Sequence, residues 1–126
     1  MIYGIGVDLV DVRRMEAGVA RFGERLARRI LSASELEDYR GSIRSAQLLA
    51  RRFAAKEALL KALGTGFRKD GITLGQVSVD HNDLGKPVLR FAGEAQYTLA
   101  RLGISESHLS IADERDYALA YVILEK

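Results

Sequence analysis

The sequence predicts an α+β fold: a small antiparallel sheet packed against one long helix. Three observations carry this reading. Residues 2–10 alternate as a strand does. Residues 43–63 hold the longest helical pattern in the chain and stop at Gly64. The last part reads as two strands, 107–112 and 117–124, joined by the charged turn Asp113-Glu114-Arg115-Asp116. Strands and helices therefore come in mixed order with an antiparallel end, which is the α+β pattern rather than a βαβ alternation. At 126 residues the chain makes one domain with enough length for a single core.

In the first strand, Ile2, Gly4, Gly6, Asp8 and Val10 share one face, and Tyr3, Ile5, Val7 and Leu9 share the other. The Asp8 face thus has two positions without a side chain, leaving room for another element or a ligand to approach. Residues 12–30 read as helix, broken near Gly23. Ser34 and Glu37 have the spacing of a capping box for a short helix near 35–40. Ile72–Asp80 reads as a strand weakened by Gly75. Asn82-Asp83-Leu84-Gly85 is a turn into a short strand, 87–91, which starts at the only proline. Residues 93–102 read as a helix closed by Gly103.

Composition excludes several classes. The chain has no cysteine, so disulfides, thiolate chemistry and cysteine–zinc sites are out. It has no apolar run near 18 residues and no secretory layout at its start, so a cytoplasmic, non-membrane protein is expected. The net charge is only +2, but residues 13–69 hold 14 Lys/Arg against 6 Asp/Glu, and residues 70–126 hold 5 against 9. Arg13, Arg14, Arg21, Arg25, Arg28 and Arg29 lie close together, a surface suited to an acidic protein, a nucleotide or a nucleic acid, or simply a solvated helix face. The sequence contains no helix-turn-helix, zinc-finger or aromatic RNA-binding signature.

Asp8 is a carboxylate in an apolar strand, which is costly unless paired or metal-bound; its plain alternative is to cap the following helix, a job Asp11 can also do. Glu57 lies in an Ala- and Leu-rich helix with Lys61 four residues on, a pairing worth only ~0.3–0.5 kcal/mol if exposed. Together Asp8 and Glu57 have the one or two carboxylates of a magnesium site that also uses phosphate and water. Arg52, Lys56 and Lys61 are phosphate-ligand candidates, although one helical stripe cannot present all of them equally. Gly64-Thr65-Gly66 follows the helix instead of opening one, so alone it is a C-cap and a poor phosphate cradle. His81 falls in a turn. His108 shares a strand face with Ser110 and Ala112, and reads either as a surface histidine or as a contact to phosphate or adenine.

Strand 1 through Gly6-Val7-Asp8-Leu9-Val10, the run Arg52-Phe53-Ala54-Ala55-Lys56-Glu57-Ala58 with Lys61 and Gly64-Thr65-Gly66, then Gly85-Lys86-Pro87 and His108-Leu109-Ser110-Ile111 resemble holo-acyl-carrier-protein synthases, the small bacterial 4′-phosphopantetheinyl transferases. The resemblance covers essentially the whole chain. It implies that the phosphopantetheine arm of coenzyme A is moved to a serine of apo-acyl-carrier protein, releasing adenosine 3′,5′-bisphosphate, in support of fatty acid biosynthesis. It implies magnesium on Asp8 and Glu57, with Glu57 and Lys61 catalytic. Arg52, Lys61, Gly64, Thr65, Gly66, Lys86, Pro87, His108 and Ser110 are implied at the coenzyme site. Arg14, Arg21 and Arg25 are the implied dock for an acidic carrier, and a homotrimer with coenzyme bound between subunits is implied. One departure stands out: many members carry histidine where this chain has Asp113 in Ser110-Ile111-Ala112-Asp113.

Overall fold

The computed structural model describes residues 1–65 and 71–126; Gly66, expected at the coenzyme site, lies outside them. The element order is β1 (Ile2–Asp11), α1 (Val12–Phe22), α2 (Glu24–Ile30), α3 (Ala33–Arg40), α4 (Ser45–Leu63), β2 (Val77–His81), β3 (Pro87–Phe91), α5 (Gly93–Arg101), β4 (Glu106–Asp113) and β5 (Tyr117–Glu125). The α+β expectation holds. Strands β1, β5 and β4 form an antiparallel sheet in that order, and β2 pairs with β3 in a separate two-stranded ribbon.

Helix α4 lies across the inner face of the three-stranded sheet. Gly4 and Gly6 decide how close it comes. A Cβ on Gly4 would sit 1.9 Å from the Ala62 carbonyl oxygen, and one on Gly6 would sit 1.8 Å from that of Ala58. Both neighbours are backbone atoms, which cannot turn aside as a side chain can. The side-chain-free positions therefore receive the helix, not a ligand. On the helix the matching positions are small: Ala54, Ala55, Ala58 and Ala62 are all buried. Ala118, Ala120, Val122 and Leu124 of β5 complete this layer of the core at 0% exposure. Strand alternation then turns Ile5, Val7, Leu9, Leu119 and Tyr121 outward, where they remain 38–61% exposed. One face of the sheet is thus an open apolar surface.

Gly23 separates α1 from α2 at φ +61°, and Gly64 closes α4 at φ +78° with its N–H donated to the Leu60 and Lys61 carbonyls. Three expectations need correction. The capping box is Ser32 with Glu35, not Ser34 with Glu37, so α3 starts earlier; both pairs have the right spacing, but only Glu35 faces the interior, where buried cations hold it. The strand expected from Ile72 begins only at Val77, because Leu74–Gln76 form a 3-10 turn capped by Thr73 and Gln76. The long helix starts at Ser45, not at 43.

The α4–β1 crossing makes a direct prediction. Gly6→Ala is expected to lose about 3 kcal/mol or more in urea unfolding, since the added methyl meets backbone. Gly41→Ala, where φ is −86° and a Cβ meets nothing closer than 3.7 Å, should stay neutral or gain slightly. Equal stability of the two variants would contradict the close crossing.

Candidate active site

Asp8 and Glu57 are far apart in sequence but line one cavity of about 560 Å³, together with Arg14, Met15, Phe22, Arg29 and Phe53. The register of β1 on α4 brings them together: Gly4 meets Ala62, Gly6 meets Ala58, and the next inward residue, Asp8, arrives beside the preceding helical turn. Lys61 joins them. Its Nζ donates to Asp8 Oδ1 at 3.0 Å and to the Val7 carbonyl at 3.1 Å, while the side chain stays largely exposed. Asp8 does not cap α1. Asp11 does, accepting from the Arg13 backbone N–H at 2.9 Å.

Burial pushes the Glu57 carboxyl above its usual range, the neighbouring Asp8 charge pushes it further, and Lys61 offsets part of this. Two carboxylates whose charges oppose each other on a half-buried wall suit a hard divalent cation, which bonds to oxygen and would relieve that repulsion.

Arg52 and Lys56 do not join this group. Both are turned into the interior against Glu35, itself only 1% exposed. Lys56 is fully buried and donates to Glu35 Oε1 at 2.5 Å, to the Ile30 carbonyl at 2.7 Å and to the Leu74 carbonyl at 3.0 Å. Arg52 Nε lies 3.4 Å from Glu35 Oε2 and makes no hydrogen bond among the described residues. Burial lowers the pKa of both cations, and Glu35 opposes the shift. Arg52, expected at the coenzyme site, has its charge beside an interior carboxylate and lines neither cavity described here.

The other expected coenzyme residues gather elsewhere. Lys86, Pro87, His108 and Ser110 line a second cavity, about 700 Å³, with Leu119, Tyr121 and Ile123. The β4–β5 register explains this: His108 is opposite Ile123 and Ser110 opposite Tyr121, all on the outward face. His108 is hemmed by carboxylates, with Nε2 2.6 Å from Glu125 and 3.6 Å from Glu106. No residue is shared between the linings of the two cavities. Gly64 and Thr65 line neither, and among the described residues the buried Thr65 hydroxyl has no partner. Asp113 accepts a hydrogen bond from Arg51 Nη1 at 3.1 Å.

Of the basic cluster, Arg14, Arg21 and Arg25 are exposed, and Arg14 reaches the Asp8–Glu57 cavity. Arg21 lies over the Phe22 ring at 5.0 Å. Arg13 is taken up by Asp11 at 2.9 Å, and Arg28 contacts Glu24 at 3.3 Å. Sequence reasoning did not single out Arg29, Met15, Phe22 or Phe53 as lining this cavity. The pattern offered one signal: Met15 and Phe22, seven residues apart, share one face of a helix that also carries Arg13, Arg14 and Arg21.

A family profile described as the 4′-phosphopantetheinyl transferase superfamily matches residues 4–122. The chain is 54% identical over 124 residues to the holo-acyl-carrier-protein synthase of Halorhodospira halophila, covering 98% of each. Its fold matches the crystal structure of the holo-acyl-carrier-protein synthase of Neisseria meningitidis with a TM-score of 0.94 and 40% identity, covering all of both chains. It also matches a holo-acyl-carrier-protein synthase of Bacillus anthracis solved in complex with coenzyme A (3′,5′-ADP), at a TM-score of 0.79 and 35% identity over 98% of this chain and 96% of that one. The chain belongs to the 4′-phosphopantetheinyl transferase superfamily, and within it to the holo-acyl-carrier-protein synthase family.

The raised Glu57 carboxyl has a measurable sign. Its folded pKa exceeds its unfolded one, so ionising it costs stability, and that cost vanishes once pH falls below the unfolded value. In metal-free buffer Glu57→Gln should therefore raise the denaturant midpoint at pH 7, with the gain fading as pH drops through the ordinary carboxylate range. A variant less stable than wild type at pH 7 would contradict the assignment.

Proposed function

We propose that this chain transfers 4′-phosphopantetheine from coenzyme A to a serine of apo-acyl-carrier protein, with magnesium, giving holo-carrier and adenosine 3′,5′-bisphosphate in support of fatty acid biosynthesis. The observation that carries the proposal is the meeting of Asp8 and Glu57 in one cavity, with Lys61 hydrogen-bonded to Asp8; these are the residues that the resemblance implies for the metal and catalytic roles. Asp8 and Glu57 would hold the magnesium ion, which when bound neutralises pyrophosphate charge. Lys61, largely exposed and hydrogen-bonded to Asp8 and the Val7 carbonyl, adds a point charge where negative charge develops on the phosphate. Glu57, directly or through a bound water, accepts the serine proton. The serine oxygen bonds to the phosphorus that carries the pantetheine arm, and the bond from that phosphorus to the nucleotide's oxygen breaks.

Arg14, Arg21 and Arg25 supply the dock for an acidic carrier, and Arg29 beside the cavity extends it. A cytoplasmic setting fits: among the described residues no helix is long and apolar enough to cross a membrane. The coenzyme site is assigned between subunits of a homotrimer. Lys86, His108 and Ser110 lie in a different cavity from Asp8 and Glu57, and His108 and Ser110 share the outward sheet face with exposed Leu119 and Tyr121. Packing copies on that face would bury the apolar surface and bring the two halves of the site together.

The test is mass spectrometry of an apo-acyl-carrier protein incubated with the protein, coenzyme A and magnesium. The carrier should gain the mass of one phosphopantetheine, EDTA should stop the gain, and added magnesium should restore it. Asp8→Ala and Glu57→Ala should each lower the rate by roughly 10²–10³-fold, the scale of one lost transition-state charge contact, while remaining folded. Full activity in EDTA, or an unmodified carrier, would overturn the proposal.

A further inference from the structure

Lys56 is the one cation of α4 sealed in the interior at 0% exposure. An ammonium group has three N–H donors, and all three are used. One goes to Glu35 Oε1. The other two go to main-chain carbonyls, that of Ile30 at 2.7 Å and that of Leu74 at 3.0 Å. None remains for a phosphate. Ile30 ends α2, where the last carbonyls of a helix have no partner within it. Leu74 opens the 3-10 turn before β2. Both residues line the Asp8–Glu57 cavity.

Adjacent helical residues point about 100° apart. One turn of α4 therefore sends Glu57 into the cavity and Lys56 beneath it, to grip the two backbone segments that form another part of its wall. We infer that Lys56 is a positioning residue: by holding the Ile30 and Leu74 carbonyls it fixes the cavity wall relative to Glu57, and so sets how the carrier's serine is presented to the catalytic carboxylate. The inference rests on the transferase reading above. It gives the lysine of the Ala-Lys-Glu-Ala run a role different from the phosphate contact suggested by its charge.

Three roles predict different kinetics. If Lys56 positions the wall, Lys56→Met should lower carrier kcat/KM on the order of 10–100-fold, mainly through carrier KM, because small misplacements of reacting groups are expensive. The Kd for coenzyme A, measured by calorimetry, should stay within about twofold. If Lys56 only stabilises the fold, both KM values should stay fixed, with kcat scaling with the folded fraction. If it binds phosphate, coenzyme A affinity should fall about tenfold or more. Either of the last two results overturns the inference. Should Lys56→Met fail to fold, Lys56→Arg keeps the charge beside Glu35 but cannot hold both carbonyls at lysine's distances. It should show the same rise in carrier KM with coenzyme affinity unchanged, and an unchanged carrier KM would equally refute the inference. Wild-type transfer, assayed alongside, separates the outcomes: if wild type does not modify the carrier, the transferase reading itself fails.

Discussion

Helix α4 can lie on strand β1 only because neither Gly4 nor Gly6 carries a Cβ. The site depends on that contact. Each glycine opposes a main-chain carbonyl, of Ala62 and of Ala58, so the crossing is set by backbone against backbone. The next inward residue, Asp8, is delivered beside Glu57 and within hydrogen-bonding reach of Lys61. A helix held farther out by a larger residue would leave the core layer of Ala54, Ala58 and Ala62 unfilled and the two carboxylates apart. The same spacing that packs the core assembles the chemistry.

A second constraint fixes the helix lengthwise. Glu35 accepts from Lys56, from the backbone N–H of Ser32 and from that of Val79, thereby joining α3, α4 and β2. Breaking such a buried pair by removing one partner costs about 3–5 kcal/mol, chiefly because the remaining charge is stranded. The knot carries one carboxylate against two cations, so Arg52 is the less satisfied member, and its Nε has no hydrogen-bond partner among the described residues.

Much of this was legible in the sequence, for identifiable reasons. The alternation of residues 2–10 placed Gly4, Gly6 and Asp8 on one face, and Gly64 marked the helix end. The α+β class followed from the mixed order of elements and the closing hairpin. Whether Asp8 meets Glu57 was not legible, because it depends on where α4 crosses β1. The burial of Arg52 and Lys56 was not legible, because a cation on an Ala-rich helix looks like an exposed anion ligand until its partner is known. That partner, Glu35, belongs to a different helix, and a second, equally spaced Ser–Glu pair drew the capping box to Ser34 and Glu37. The 3-10 turn at Leu74–Gln76 was hidden because Ile72 and Leu74 alternate with Thr73 and Gly75, as residues of a strand do.

One chain presents two separated halves: Asp8 and Glu57 in one cavity, with Lys61 bonded to Asp8, and Lys86, His108 and Ser110 lining another. In the proposed trimer the two halves meet across copies of the chain. Subunit complementation tests this most directly. Glu57→Ala and a Lys86→Ala/His108→Ala double variant, each inactive and folded alone, are dissociated, mixed and allowed to reassemble, and carrier modification is followed by mass spectrometry. The account predicts that the mixture regains activity, because some interfaces then pair an intact carboxylate cavity with an intact sheet face. Mixed oligomers that form but stay inactive would contradict it.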